Sequence, residues 1–349
     1  MKRTKTYISI DIEAALIRGK QYIIEIGAVK LNPDGTTETF TQLVQPYRFK
    51  KLNQRIQELT GITTEQLVTA PPFKQAIKAF KYWCTGDYIL LTFGEFDRKV
   101  LEEELSRNYV KKQFLYPIVD FQQKYMIHKQ VKEQPSLGGL MEELGLEVET
   151  QHRALADADS LLRIFQTLNG ENIIEEQKTN KFILILGSLK QQETTFTVQL
   201  TKVCAQIIDQ QIKLVNMKTH INELPFYYEK VTKTLSNGET EENEVIRIEA
   251  SKDTRAFVQS VIESLDGEVV ITRTGLKGIS RILRIHDTTL PKTEVMTLLN
   301  ILQNEDVVER YKYNGEPVEK YEEKVKKLLF EHKNAIIGEF RKRSLIEVL

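Results

Sequence analysis

The stretch TYISIDIEAAL, residues 6–16, constrains this chain more than any other. Successive side chains of a strand alternate between faces, so Ile8, Ile10 and Ile12 share one side while Ser9, Asp11 and Glu13 share the other. A fold that takes in this strand must bury the isoleucines and accommodate two carboxylates pointing the same way. Like charges on a low-dielectric surface resist ionisation unless a cation sits between them. A divalent metal resolves the conflict, and hard oxygen ligands select magnesium or manganese over zinc. Acid pairs with the same spacing recur at Glu102/Glu104, Glu147/Glu149 and Glu242/Glu244. What sets Asp11 and Glu13 apart is the apolar strand around them.

Two further strand-like runs, YIIEIGAVKL and TTETFTQLV, follow and are joined by NPDG, whose Pro and Gly suit a tight turn. An antiparallel meander is expected. Helical periodicity then appears in PFKQAIKAFKYW, FDRKVLEEELSRN, SLGGLMEELGL and ALADADSLLRIFQTL, with DYILLTF and YPIVDF as short strands between them. The assembly this predicts is α/β, a mixed sheet flanked by helices over residues 1–170. The polar segment 171–180 reads as a linker, and residues 181–349 as a C-terminal α+β domain.

Composition removes several function classes. The 349 residues carry no net formal charge, which argues against a whole-surface magnet for nucleic acid, although a local basic groove escapes that sum. Cys84 and Cys204 lie far apart without CxxC spacing, so neither a disulfide framework nor a thiolate zinc site is indicated, and a reducing cytoplasm fits. Asp11 and Glu13 interrupt the apolar core that a signal peptide would need, and no apolar run approaches membrane-spanning length.

More carboxylates stand at informative places. In LLTFGEFDRKVL, Asp97 follows a short apolar strand and opens a helix, where it also suits the helix dipole. In QHRALADADSLLRIF, Leu155, Ala158, Leu162 and Phe165 form an apolar stripe that leaves Asp157 on an adjoining face. His152 lies just before that helix.

DIE at Asp11 to Glu13, GEFDRKVL around Asp97, and HRALADA from His152 to Ala158 together resemble the three motifs of the DEDDh (DnaQ-like) 3′–5′ exonucleases of the ribonuclease H-like superfamily. LTGITTEQLVTAPPF, residues 59–73, resembles the segment such proteins carry between the first two motifs, and the likeness covers residues 5–168. Gly94 ahead of Phe96, Asp97 and Arg98 looks most like the subgroup related to KapD and to RNA-trimming enzymes. The resemblance implies that Asp11, Glu13, Asp97 and Asp157 hold two divalent ions, Mg2+ or Mn2+, and that His152 is the general base. It implies hydrolysis of RNA or DNA from the 3′ end with release of 5′-mononucleotides. Ala14, Leu16 and Phe96 fall where such proteins meet the terminal nucleotide, Leu16 either as an apolar wedge or as a core leucine. One departure is visible: Ala14 and Ala15 stand where family members usually place Thr or Ser, so a hydroxyl that could contact substrate is missing. This motivates a second reading, a nucleic-acid- or partner-binding protein with little turnover, and a hydrolase of small phosphoesters is a third.

Nothing in residues 181–349 presents a comparable carboxylate cluster. FILILGSLKQQETTFTVQLTKV echoes the opening meander, and DGEVVITRTGLKGISRIL echoes the stretch around Asp97, as in a degenerate second copy with Gly187 and Gly278 near the places of Glu13 and Asp97. The rival is a winged-helix-like end with a hairpin at Asn314-Gly315. Arg273, Lys277, Arg281 and Arg284 are candidates for phosphate contact or for a solvated face, and the terminal residues from Glu319 read as one long charged helix. The expected partners are a nucleic-acid 3′ end and, through the C-terminal region, a protein; a membrane is not among them.

Overall fold

The computed structural model describes residues 5–131, 133–147, 153–234, 239–248, 251–265, 268–273 and 293–347. The chain divides into two units, residues 1–178 with 340–349 and residues 179–339. The last ten residues thus group with the first unit, not with the C-terminal region to which the sequence reading gave them.

In the first unit the predicted meander is strands β1 (Thr6–Ile17), β2 (Lys20–Leu31) and β3 (Thr37–Leu43). Only Arg18 and Gly19 separate β1 from β2, and both have positive φ, as the tight turns that match strand twist require. The chain then crosses over through α1 (Gln54–Thr60), α2 (Thr64–Thr69) and α3 (Phe73–Trp83) to lay β4 (Tyr88–Thr92) parallel to β1. Helix α4 (Phe96–Arg107) leads to β5 (Ile118–Asp120), parallel to β4, and the sheet order is β3-β2-β1-β4-β5. Helices α5 (Phe121–Lys129), α6 (Leu137–Glu143), α7 (Ala154–Thr167) and α8 (Gly170–Glu176) follow. The strand period sorts the core into two layers. Ile8, Ile10 and Ile12 pack with Ala76, Ile77 and Phe80 of α3, and Tyr7, Ile89 and Leu91 pack on the other face with Leu161, Leu162 and Phe165 of α7. This is the ribonuclease H-like arrangement. Asp11 and Glu13 project from the α7 side.

The second unit holds β6 (Lys181–Gln191), β7 (Thr195–Ile208), β8 (Gln211–Thr234), β9 (Thr240–Ile248), β10 (Val269–Thr272) and β11 (Val295–Thr297), with α9 (Lys252–Glu263) between β9 and β10. Helices α10 (Leu298–Leu302), α11 (Glu305–Arg310), α12 (Val318–Glu331) and α13 (Lys333–Lys342) follow. The order β8-β7-β6-β10-β11 repeats β3-β2-β1-β4-β5, with the same antiparallel and parallel pairings. The second unit is therefore a second copy of the topology. Register makes the match residue by residue: Thr92 pairs with Asp120 at the end of β4–β5, as Thr272 pairs with Thr297 at the end of β10–β11. Asp120 and Thr297 each cap the helix that follows. Counting back along the ladders puts Leu186 at the place of Asp11 and Ser188 at that of Glu13. Gly187 falls at Ile12, on the opposite face from the expectation, and Gly278 lies outside the described residues.

Three further expectations change. The segment read as a linker carries α8, anchored by buried Ile173 and Ile174. Asn314-Gly315 is no hairpin: it joins α11 to α12, because Val308, Tyr311, Tyr321 and Val325 bury at helical spacing and Pro317 caps a helix start. The terminal helix is two helices that part at His332. Beyond Pro225, β8 leaves β7 and pairs with β9 alone, so Phe226–Thr234 and Thr240–Ile248 form a two-stranded ribbon. Among the described residues no helix is long and apolar enough to cross a membrane.

Candidate active site

Each carboxylate of the site comes from a different piece of local logic. Asp11 and Glu13 sit on β1 opposite Gly27 and Glu25 of β2, just before a bulge between Glu13 and Ala14 re-aims the strand end. Asp157 stands in the first turn of α7. Asp97 stands in the first turn of α4, only 5% exposed, where the nearby backbone of Ile12 partly offsets the effect of burial on its carboxyl. The turn that delivers Asp97 is pinned from the neighbouring strand: Gly94, at φ 99°, donates its N–H to the Asp120 carboxylate at 2.9 Å, and the Thr92 hydroxyl donates to the Gly94 carbonyl at 2.9 Å. Only a residue free to take positive φ fits that turn.

The structure brings Asp11, Glu13 and Asp157 together, with one carboxylate oxygen of each lying within 4.8 Å of the others. Burial, then the negative charges of Asp97, Asp157, Glu13 and Glu25, hold the Asp11 carboxyl well above its ordinary range. Burial, followed by Asp157 and Glu25, pushes Glu13 up to about 7, with Arg153 opposing. Asp97 is raised chiefly by burial. Among the described residues no lysine or arginine forms an ion pair with Asp11 or Glu13. Glu102 and Glu104, the acid pair on α4, are instead satisfied by Arg98 at 3.4 Å and Arg107 at 2.5 Å. Clustered, desolvated oxygen donors whose mutual repulsion outweighs the nearby Arg153 charge are what a hard divalent ion would satisfy, so the residues present fit such an ion.

The remaining candidates divide. Leu16 is 63% exposed and Phe96 is 51% exposed, so the core reading of Leu16 does not hold and both apolar side chains face solvent. The Ala14 methyl packs against the α3-side core, and Ala15 is buried in a small cluster with Ile24, Leu52, Ile62 and Leu67, so neither methyl lies on the carboxylate face. His152 lies outside the described residues. In the second unit Arg273 donates to the Gly187 carbonyl and pairs with Glu309, which makes it a structural cation rather than a phosphate ligand. Lys277, Arg281 and Arg284 lie outside the described residues.

Sequence reasoning missed Glu25 and Asp120. Glu25 carried the same signal as Asp11, one carboxylate inside an apolar run, but without a second acid beside it.

The family model described as Exonuclease matches residues 8–165. The epsilon subunit of DNA polymerase III from Aquifex aeolicus is 30% identical over 162 residues, covering 46% of this chain and 78% of that protein. The probable 3′–5′ exonuclease KapD of Bacillus subtilis is 28% identical over 172 residues, covering 47% and 84%. The nuclease domain of 3′hExo, a DEDDh family member solved with rAMP, matches with 27% identity and a TM-score of 0.45 over 48% of this chain and 92% of that one. Against PolC-type DNA polymerase III of Bacillus subtilis, the chain spans only 11% of the relative's length.

Proposed function

The chain belongs to the DEDDh exonuclease family, hydrolases that cleave nucleic acid from its 3′ end, and on that premise we propose that it releases 5′-mononucleotides from RNA or DNA in a metal-dependent reaction. The observation that carries the reading is the convergence of Asp11, Glu13 and Asp157, from a strand and a helix far apart in sequence, on one partly buried point beside the buried Asp97.

In this reading Asp11, Glu13, Asp97 and Asp157 hold two Mg2+ or Mn2+ ions. Bound there, such ions lower the pKa of an attacking water and stabilise charge developing on the phosphate. Burial of Asp97 and partial burial of the other three carboxylates limit their solvation by water in place of the ions, and the ends of β1, α4 and α7 fix their positions. His152 accepts the proton of the attacking water, a role its ordinary pKa of about 6.5 suits near neutrality. Leu16 and Phe96, both exposed, flank the terminal nucleotide with apolar surface, and Ala14 contacts it through its backbone. The KapD-like form around Gly94 favours RNA. The second unit, without the carboxylates, binds substrate or a protein partner rather than cutting.

Full-length protein incubated with 3′-labelled RNA and DNA in parallel, with Mg2+ or Mn2+, tests this. Mononucleotide release that Asp11→Ala or Asp157→Ala abolishes, with the fold intact, is expected. Unchanged digestion in either variant would overturn the assignment. Manganese binding with no nucleotide released from any substrate would favour the binding reading that Ala14 and Ala15 motivate.

A further inference from the structure

Glu25 is a feature that the proposed chemistry leaves unexplained. It is 1% exposed and stands on β2 directly opposite Glu13. A carboxylate so buried is costly unless it is both paired and hydrogen-bonded. Here Arg153 donates from Nε at 3.1 Å and from Nη2 at 2.6 Å, and the Ala154 backbone N–H donates at 3.2 Å. A two-pronged guanidinium contact fixes orientation as well as distance. Ala154 is the first residue of α7, and Arg153, in the cap position, makes no side-chain capping bond. Glu25 therefore takes up from another element one of the N–H groups that a helix start leaves unsatisfied.

Gly27, two residues along the same face of β2, completes the contact. A Cβ at Gly27 would lie 2.1 Å from the Ala154 carbonyl carbon, so the helix start rests directly on strand backbone. Together Glu25 and Gly27 make a seat for the residues between His152, which directly precedes Arg153 in the chain, and Asp157, one turn further on.

The second unit supplies an internal control. By the register that places Ser188 at Glu13, the partner position is Gln199, and Thr201 stands at Gly27. Gln199 is also 1% exposed, and it donates to the Leu186 carbonyl at 3.2 Å and to the Thr201 hydroxyl at 2.7 Å. The same strand position is thus filled by a neutral amide where the carboxylate pair is absent. The topology does not require the charge.

We infer that Glu25 and Arg153 are positioning residues, whose ion pair sets the start of α7 against β2 and so places Asp157 relative to Asp11 and Glu13. The kinetic consequence rests on the nuclease reading; the placement of Asp157 does not. Glu25→Gln keeps the size and one acceptor, while Arg153→Lys keeps the charge and loses the fork. Each variant of the full-length chain is expected to lower kcat on a 3′-labelled oligonucleotide by about ten- to a hundredfold with KM changed less than about twofold. Each should also weaken Mn2+ binding, followed by calorimetry, by about the same factor. Because the two groups act as one unit, the double variant should be no worse than the poorer single variant. The manganese titration separates the two readings. If the wild type releases no nucleotide, the nuclease assignment fails, while weakened Mn2+ binding in the variants still supports the seat. Wild-type Mn2+ affinity in both variants would overturn the seat whatever the activity. Should Glu25→Gln not fold, Arg153→Lys, altered at a half-exposed side chain, decides alone.

Discussion

Glu13 titrates in the folded chain near about 7, against about 4.3 for an unfolded glutamate. Between those values the folded state binds more protons than the unfolded one, so stability falls as pH rises. The contribution is fully present below about pH 4 and is lost as pH passes through about 7; Asp11 and Asp97 are displaced in the same direction. Without metal, Glu13→Gln should therefore be more stable than the wild type at pH 8 by about 1–3 kcal/mol, and the difference should shrink at pH 5. Thermal melts at both pH values with chelator check this, and added Mn2+ should raise the wild-type melting temperature more at pH 8 than at pH 5. Gly27→Ala should cost about 1–3 kcal/mol and disturb Asp157, since a methyl there meets the backbone of α7; denaturant unfolding measures it. Asp11 and Glu13 were legible because strand alternation put two acids on one face. Asp97 and Asp157 were legible only through their motifs, since a helix-start aspartate is ordinary. Glu25 showed a carboxylate inside an apolar run, but its role was not legible, because that role comes from Arg153, which is 128 residues away.

Among the elements, the entry into α4 bears most directly on the site. Asp120 accepts from the N–H of Gly94 at 2.9 Å and of Gln123 at 3.1 Å, so one carboxylate both caps α5 and pins the turn that presents Asp97. Asp120→Ala should lose about 1–2 kcal/mol of stability and reduce nucleotide release more than the stability loss alone accounts for; paired melts and rate measurements test it. The same turn is braced by the C-terminal segment, where Arg343 lies 3.8 Å from Glu95. The long amphipathic helices were readable because one face buries at a constant interval, as Phe73, Ala76, Ile77 and Phe80 do on α3. Helix α8 was not, for its seven residues are polar apart from Ile173 and Ile174. Asn314-Gly315 misled because a turn dipeptide specifies a reversal, not the kind of element on either side.

Two copies of one topology differ in their side chains at matching positions: Asp11 and Glu13 in the first stand where Leu186 and Ser188 do in the second. Among the described residues a single cluster, Asp11, Glu13 and Asp157, has ligand atoms close enough to hold a metal. Manganese titration of the Asp11→Ala, Asp157→Ala double variant should therefore show no specific site remaining, and residual binding at wild-type stoichiometry would place a site elsewhere. The echo between the halves was visible in sequence, but its register was not. Gly187 and Ser188 differ by one residue, and one residue exchanges the faces of a strand. Only the ladders of β6 with β7 and β10 decide it.

The ribbon beyond Pro225 has a consequence for behaviour in concentrated solution. Among the described residues, each of its strands pairs only with the other, which leaves outward-facing amides and carbonyls along both rims. Such rims invite other chains to add on. Lys230 opposite Glu244 and Lys233 opposite Glu241 place charged pairs along it, which favour pairing within the ribbon and disfavour the addition of another chain at its rims.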